Sequence, residues 1–156
     1  MSAVDNHHRQ SLRALLVFLA VSAAVPGLWA TLAPASFYTS FPLGGPGWVA
    51  PLGPPSPHFT ADVGAFYLAF AGMFARAAWR PDRALVVPLA VAWMVFSTLH
   101  FTWHAFHLEP FDTGNAVAQT ASLALVLAAP ALVIWLARRE RPAVAAPQAP
   151  AASHLA

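Results

Sequence analysis

The chain contains no cysteine and no lysine among its 156 residues, and only 9% of its residues are charged. The absence of cysteine excludes disulfides, thiolate metal ligands and thiol nucleophiles. Soluble domains carry about 25% charged residues, which fits poorly with a sequence that is 58% hydrophobic. The length allows one domain. The composition therefore predicts an integral membrane protein that is surrounded by the lipid bilayer.

Signals for several classes of function are also missing. The sequence has no serine–histidine–acid spacing and no glycine-rich phosphate loop. Its eight basic residues flank apolar runs and do not form a patch for nucleic acid. Isoleucine occurs once, at Ile134, whereas alanine and proline are abundant. This bias is typical of a bacterial genome of high GC content and carries no functional information.

Four apolar runs cover residues 12–32, 59–79, 84–106 and 116–137. Each has about 20 residues, enough to cross a hydrocarbon core of roughly 30 Å at 1.5 Å per residue. The first run could instead be a signal peptide, because arginines precede it. Its length, and Pro34 just after the best cleavage point, favour a retained helix. The pattern predicts an all-α integral membrane four-helix bundle over residues 12–137.

Four spans would place all eight arginines on one side of the bilayer. They lie before the first span (Arg9, Arg13), around the turn between the second and third (Arg76, Arg80, Arg83) and after the fourth (Arg138, Arg139, Arg141). By the positive-inside rule both termini are cytoplasmic, as in a multi-pass protein of the cell membrane. Residues 1–11 then form a cytoplasmic N-terminal tail, and the Ala/Pro-rich residues 142–156 a disordered C-terminal tail.

The outer loop, residues 33–58, is dense in proline and glycine, which predicts that it contains no regular helix. It also carries Phe37, Tyr38, Phe41 and Trp48. Disordered linkers lack aromatic residues, whereas aromatic rings favour the membrane interface. We therefore expect an ordered cap on the extracytoplasmic side.

Polar residues cluster in the outer half of three spans. They are Asp62 on the second span, His100 and His104 on the third, and Asn115 and Gln119 on the fourth, with Ser122 continuing the i, i+4, i+7 spacing. Unpaired polar groups that face lipid cost several kcal/mol each. We therefore expect these side chains to turn inward and to form a polar pocket roofed by the loop.

Several chemistries would suit such a cluster. A metal site would use His100, His104, Asp62 and His107, a set that suits Zn²⁺, Fe²⁺ or Cu²⁺. Phe101 stands where a zincin motif has its glutamate, so a metalloprotease is unsupported. Haem is a weaker candidate, because only His58 could supply an axial ligand from a second helix. An aspartate–histidine pair could also move protons or contact a quinone.

Three functions therefore stay open. The first is a membrane protein that binds a metal or small ligand in the pocket. The second is an enzyme or a redox or proton-transfer component that uses Asp62 with His100 and His104. The third is a structural subunit that assembles with a membrane-protein partner or with copies of itself. In this last hypothesis the polar groups serve only to form hydrogen bonds between neighbouring helices. Each such bond stabilises a membrane protein by under about 1 kcal/mol on average.

Small residues on the second span predict close helix packing. Gly64, Ala65, Ala69 and Gly72 recur at helical spacing, and small side chains let membrane helices approach each other. We expect Gly72 to contact a neighbouring helix within the bundle.

The chain also carries a family resemblance. Its matching segments are Phe37-Tyr38, Phe41-Pro42 and Gly47-Trp48-Val49 in the loop, Asp62-Val63-Gly64-Ala65 on the second span, and His100 with Trp103-His104 on the third. Together they resemble a family of small, uncharacterised actinobacterial membrane proteins over about residues 12–137. In length and topology the chain is also similar to the DoxX-like group. The first resemblance implies that Asp62, His100 and His104 belong to a family signature, and neither resemblance implies a reaction.

Overall fold

The computed structural model describes residues 3–44 and 47–139, and within these ranges the protein is all-α. Its helices are α1 (Ala3–Leu32), α2 (Pro34–Ser40), α3 (Pro57–Trp79), α4 (Arg83–Ala105) and α5 (Thr113–Arg139), with a 3₁₀ turn at Ala50–Leu52. The predicted disordered tail, residues 142–156, lies outside the described residues.

Within the described part of the chain, three helices are long and apolar enough to cross a bilayer, rather than the predicted four. They are α1 from Asn6 to Leu32, α4 and α5. The predicted second span corresponds to α3, which has 23 residues, as many as α4. α3 contains the charged residues Asp62 and Arg76, and it has only one leucine and one valine among its aromatic residues, alanines and glycines.

Two features of the helices differ from the sequence-based expectation: the start of α1 and the presence of α2. α1 continues through the polar tail to Ala3, because a helix that leaves the membrane does not have to stop at its surface. The outer loop contains α2, so the prediction that it holds no regular helix is wrong. Pro34 occupies the first turn of α2, where its missing N–H is not needed, and the next six residues contain no proline.

The long helices form two closely packed pairs, α1 with α3 and α4 with α5. The first pair meets at two glycines: a Cβ added to Gly64 would lie 2.9 Å from the carbonyl oxygen of Gly27 and 2.5 Å from Oγ1 of Thr31. The predicted contact of Gly72 is wrong, since nothing lies within 4 Å of a Cβ placed there. Gly72 therefore lies on an open face of α3, whereas Phe74 and Ala77 in the same half of the helix are fully buried.

One end of the bundle has a dense apolar core. Leu12, Ala77, Val86 and Ala137 all belong to it and come from four different helices. Each lies close in sequence to an arginine. The arginine-bearing ends of α1, α3, α4 and α5 thus lie together, and consecutive long helices run in opposite directions.

Candidate functional site

The opposite end of the bundle encloses a cavity of about 550 Å³. This volume falls within the range of small-molecule sites, about 300–1,000 Å³. All four long helices contribute to its wall. The outer loop forms its roof, with Phe37, Phe41, Trp48, Val49 and Leu52. The bundle is therefore packed at its arginine end and hollow beneath the loop.

One face of α4 provides a polar stripe on the cavity wall. Trp93, Ser97, His100 and His104 line the cavity at successive spacings of four, three and four residues, which places them on one helix face. The ring of His100 stacks on Phe96, with centroids 5.3 Å apart and planes at 16°. The His100 and His104 rings meet edge to face at 4.5 Å. Packing thus holds both imidazoles against the cavity.

Gln119 of α5 supplies a deeply buried amide to the wall. It is only 1% exposed and lies beside His104 of α4, and among the described residues neither its amide oxygen nor its amide nitrogen completes a hydrogen bond. Three more lining atoms are buried without a partner: Nε1 of Trp93, Oγ of Ser97 and Nδ1 of His104. Leaving a buried polar group unsatisfied costs about 1–3 kcal/mol. Five such atoms therefore belong to four residues of the cavity wall, which supply both donors and acceptors.

The roof is attached to the start of α5. Nε1 of Trp48 donates a hydrogen bond to Oδ1 of Asn115 at 2.9 Å. The backbone N–H of Asn115 donates to Oδ1 of Asp112 at 3.0 Å, and its side-chain amide donates to the other carboxylate oxygen. These bonds from Asn115 lower the pKa of Asp112 below its ordinary value. Asn115 therefore joins the loop to the helix and does not face the cavity.

The roof also has bonds of its own. The Tyr38 hydroxyl donates to the carbonyl oxygen of Gly53 at 2.6 Å, and the N–H of Trp48 donates to the carbonyl oxygen of Phe41 at 2.8 Å. The rings of Phe41 and Trp48 meet edge to face at 6.4 Å. These contacts order the described parts of the loop.

Asp62 departs from the predicted pocket. Its side chain is 63% exposed, does not line the cavity, and pairs with His58 one turn earlier at 3.3 Å. The predicted contact with His100 or His104 is therefore absent. The physical reason is that Asp62 finds its partner on its own helix, four residues away, and does not need one across the bundle.

The predicted metal ligands are not brought together. His107 lies beyond the end of α4, where its ring stacks on Trp103 at 4.0 Å and its Nδ1 lies 2.7 Å from the Trp103 carbonyl oxygen. Of the predicted set, only His100 and His104 share the cavity. Across the described residues, no group of three histidine, aspartate or glutamate side chains could hold a metal ion.

Two important residues of the wall were missed from the sequence. Trp93 and Ser97 extend the stripe of His100 and His104 toward the middle of α4, and helical spacing could have identified them. The contribution of Tyr67 from α3 carries no comparable signal, because nothing in the sequence says which face of α3 turns inward.

Comparison with protein-family models, curated proteins and solved structures gives no match for this chain. The cavity is therefore interpreted from its own chemistry.

Proposed function

We propose that this protein is a four-span membrane protein that binds a small ligand in the cavity beneath its outer loop. The packing of α3 against α1 supports a fourth crossing, because a helix of 23 residues extends about 34 Å at 1.5 Å per residue. Four crossings return the chain to its starting side, which agrees with the common position of the arginine-bearing helix ends.

The arginine end is proposed to face the cytoplasm. Arg139 lies over the ring of Trp135 at 3.8 Å, and Arg80 lies over Trp79 at 5.4 Å. Tryptophan and arginine side by side are typical of the boundary between membrane and water. The cavity then lies toward the extracytoplasmic side. The resemblance to DoxX-like proteins stays a prediction.

The observation that carries the binding proposal is the buried, unpartnered amide of Gln119 on the wall of a cavity of ligand size. The amide lies beside His104 of α4, yet it completes no hydrogen bond to that neighbouring helix. Enzymatic chemistry that depends on Asp62 has no comparable support, because Asp62 lies outside the cavity lining.

The test replaces Gln119 with leucine, which keeps the size of the side chain and removes its donors and acceptor. Wild-type protein and Gln119→Leu are purified in native lipid discs, and the small molecules that co-purify are extracted and identified by mass spectrometry. We expect a compound that accompanies the wild-type protein in stoichiometric amounts. In Gln119→Leu its amount should fall about tenfold, the effect of one lost buried hydrogen-bonding group.

Thr98→Val is the matched control. Thr98 is exposed on the other face of α4, and its hydroxyl already donates to the carbonyl oxygen of Met94 at 2.7 Å. This variant should retain the compound. Equal amounts in wild-type protein and Gln119→Leu, or no bound compound in either, would contradict the proposal.

A further inference from the structure

The cavity has an opening at its side. Phe59 of α3 and Trp103 of α4 both line it, yet Phe59 is 67% exposed and Trp103 45%. A residue that both lines a cavity and reaches the outer surface marks its mouth. A mouth therefore lies between the first turns of α3 and the last turns of α4, and Ser122 of α5 is a second exposed position of the wall.

The neighbouring routes are filled by side chains. Deeper in the bundle, aromatic rings occupy the α3–α4 interface. The ring centroid of Tyr67 lies 5.6 Å from that of Trp93 and 5.4 Å from that of Phe96. At the end of the bundle, the roof residues Phe41 and Trp48 cover the cavity. The side opening is thus bounded by aromatic packing below and by the loop above.

The mouth lies at the depth of lipid if α3 spans the membrane as proposed. Residues from Pro57 to Val63 cover about 9 Å of helix at 1.5 Å per residue, which reaches from the interface into the upper acyl chains. The exposed ring of Phe59 suits the acyl chains, whereas the exposed pair of His58 and Asp62 requires that this segment stay in contact with the interface. A molecule that enters here comes from the bilayer and not from bulk water.

The lining also restricts the head of that molecule. The described residues around the cavity include no aspartate, glutamate or arginine, so an ionised phosphate or carboxylate would find no counter-charge there. Aromatic rings on several sides favour a flat group. Gln119, His104, Ser97 and Trp93 place polar groups in the wall. These features match a neutral ring that carries hydroxyl or carbonyl groups.

From these observations we infer that the ligand is a membrane-dissolved amphiphile with a neutral, flat phenolic or hydroquinone-like head, and that it enters between α3 and α4. This inference rests on the proposed function and names the ligand class and route for the same site. The ring would lie against Gln119 and His104, and the apolar tail would leave past Phe59 and Trp103 into the lipid.

The test uses the cysteine-free background of the chain. Ser97 lines the cavity and is buried, and Ser97→Cys places one thiol there with almost no change in side-chain size. The variant is reconstituted in vesicles and treated with N-phenylmaleimide, which is neutral and lipid-soluble, or with a charged trimethylammonium methanethiosulfonate. Relative to its rate on a free thiol in water, the neutral reagent should modify the introduced thiol at least about tenfold faster than the charged one, equivalent to about 1.4 kcal/mol in barrier.

A second substitution narrows the mouth. Val63 lines the cavity beside Phe59, and Val63→Phe in the Ser97→Cys background should slow the neutral reagent about tenfold. Val95→Phe is the matched control, since Val95 is 57% exposed on α4 and does not line the cavity. It should leave the rate unchanged. Size-exclusion profiles show that each variant is folded before its rate is compared.

The ligand class is tested by protection with known probes. Decyl-hydroquinone should slow modification of the thiol in Ser97→Cys, whereas decanol, which has a tail of the same length and no ring, should not. Equal protection by decanol would overturn the assigned head group. Efficient modification by the charged reagent, with no effect of Val63→Phe, would overturn the lipid route and leave a binding cavity open to water. If neither reagent modifies the thiol, the cavity is not accessible, and the proposed function is contradicted as well.

Discussion

Two glycines of α3 look alike in the sequence and differ in the structure. Gly64 and Gly72 lie eight positions apart among small residues. At Gly64 the backbone of α1 occupies the position that a side chain would need, whereas Gly72 faces open space. The same residue type therefore has a packing role at one site and none at the other.

Gly64→Ala should destabilise the protein by about 1–3 kcal/mol, because the added methyl group meets backbone atoms of α1 that cannot rotate away. Gly72→Ala should be neutral or should stabilise by up to about 1 kcal/mol, since alanine favours helix more than glycine does. Thermal unfolding in detergent, followed by circular dichroism, measures both. Equal melting temperatures for the two variants would show that α1 and α3 are less closely packed than described.

Asp62 and Gln119 were both predicted to line the pocket, and they differ in whether they have a partner on their own helix. Asp62 satisfies its charge on α3 through His58, and an exposed pair of this kind contributes little to stability. Gln119 has no such partner on α5 and is almost completely buried. The unpartnered amide, rather than the ionisable group, therefore marks the site.

The outer loop functions as a structural element although it contains only a short helix. Its attachment to the rest of the protein depends on Trp48, which covers the cavity and donates to Asn115 at the start of α5. Asp112 in turn accepts from Asn115. The position of the roof therefore depends on a chain of hydrogen bonds between elements that are distant in sequence.

Trp48→Phe keeps an aromatic ring in the roof and removes the hydrogen bond to Asn115. Loss of a bond of this kind costs about 1 kcal/mol, so opening of the loop should become about fivefold more frequent. Hydrogen–deuterium exchange of peptides from the loop measures the change. Trp135→Phe, the same substitution at the arginine end, should leave exchange in the loop unaltered. Unchanged exchange in Trp48→Phe would show that ring packing alone holds the roof.

Across the whole molecule, packing is unequal between the two ends. Large side chains interlock at the arginine end, whereas the other end keeps a volume of about 550 Å³. A closed bundle would bury more apolar surface and be more stable. Retaining the cavity therefore lowers stability, which agrees with a binding function for the space.

The number of membrane crossings can be decided with two single cysteines. Leu43 lies in the outer loop and is 93% exposed, and Pro81 lies in the turn between α3 and α4. If α3 crosses the membrane, a membrane-impermeant maleimide applied to intact cells should label Leu43→Cys and not Pro81→Cys. Pro81→Cys should react only after the cells are opened.

A three-span topology predicts a different labelling pattern. If only α1, α4 and α5 cross the bilayer, residues 33–82 stay on one side, and both cysteines should show the same accessibility. That outcome would rule out the four-span topology, while the helix packing within the protein would be unaffected.

Much of the architecture follows from the order of residues along the chain. Long apolar runs predict long helices, because backbone groups in lipid must be satisfied within the segment. The all-α fold, three of the long apolar helices and the position of α3 were predictable on this basis. Helix α2 was not predicted, because the loop as a whole is dense in proline. Pro34, however, lies at the start of the helix, where proline is tolerated.

Local sequence therefore decides which segments become helices, since each helix satisfies its own backbone. It does not decide how a helix is rotated about its axis, because that rotation depends on side chains from other helices. Only the tertiary structure turned Asp62 outward, moved Gly64 against α1, and brought Ser97, His104 and Gln119 around one cavity. The site depends on contacts between helices that are far apart in the chain.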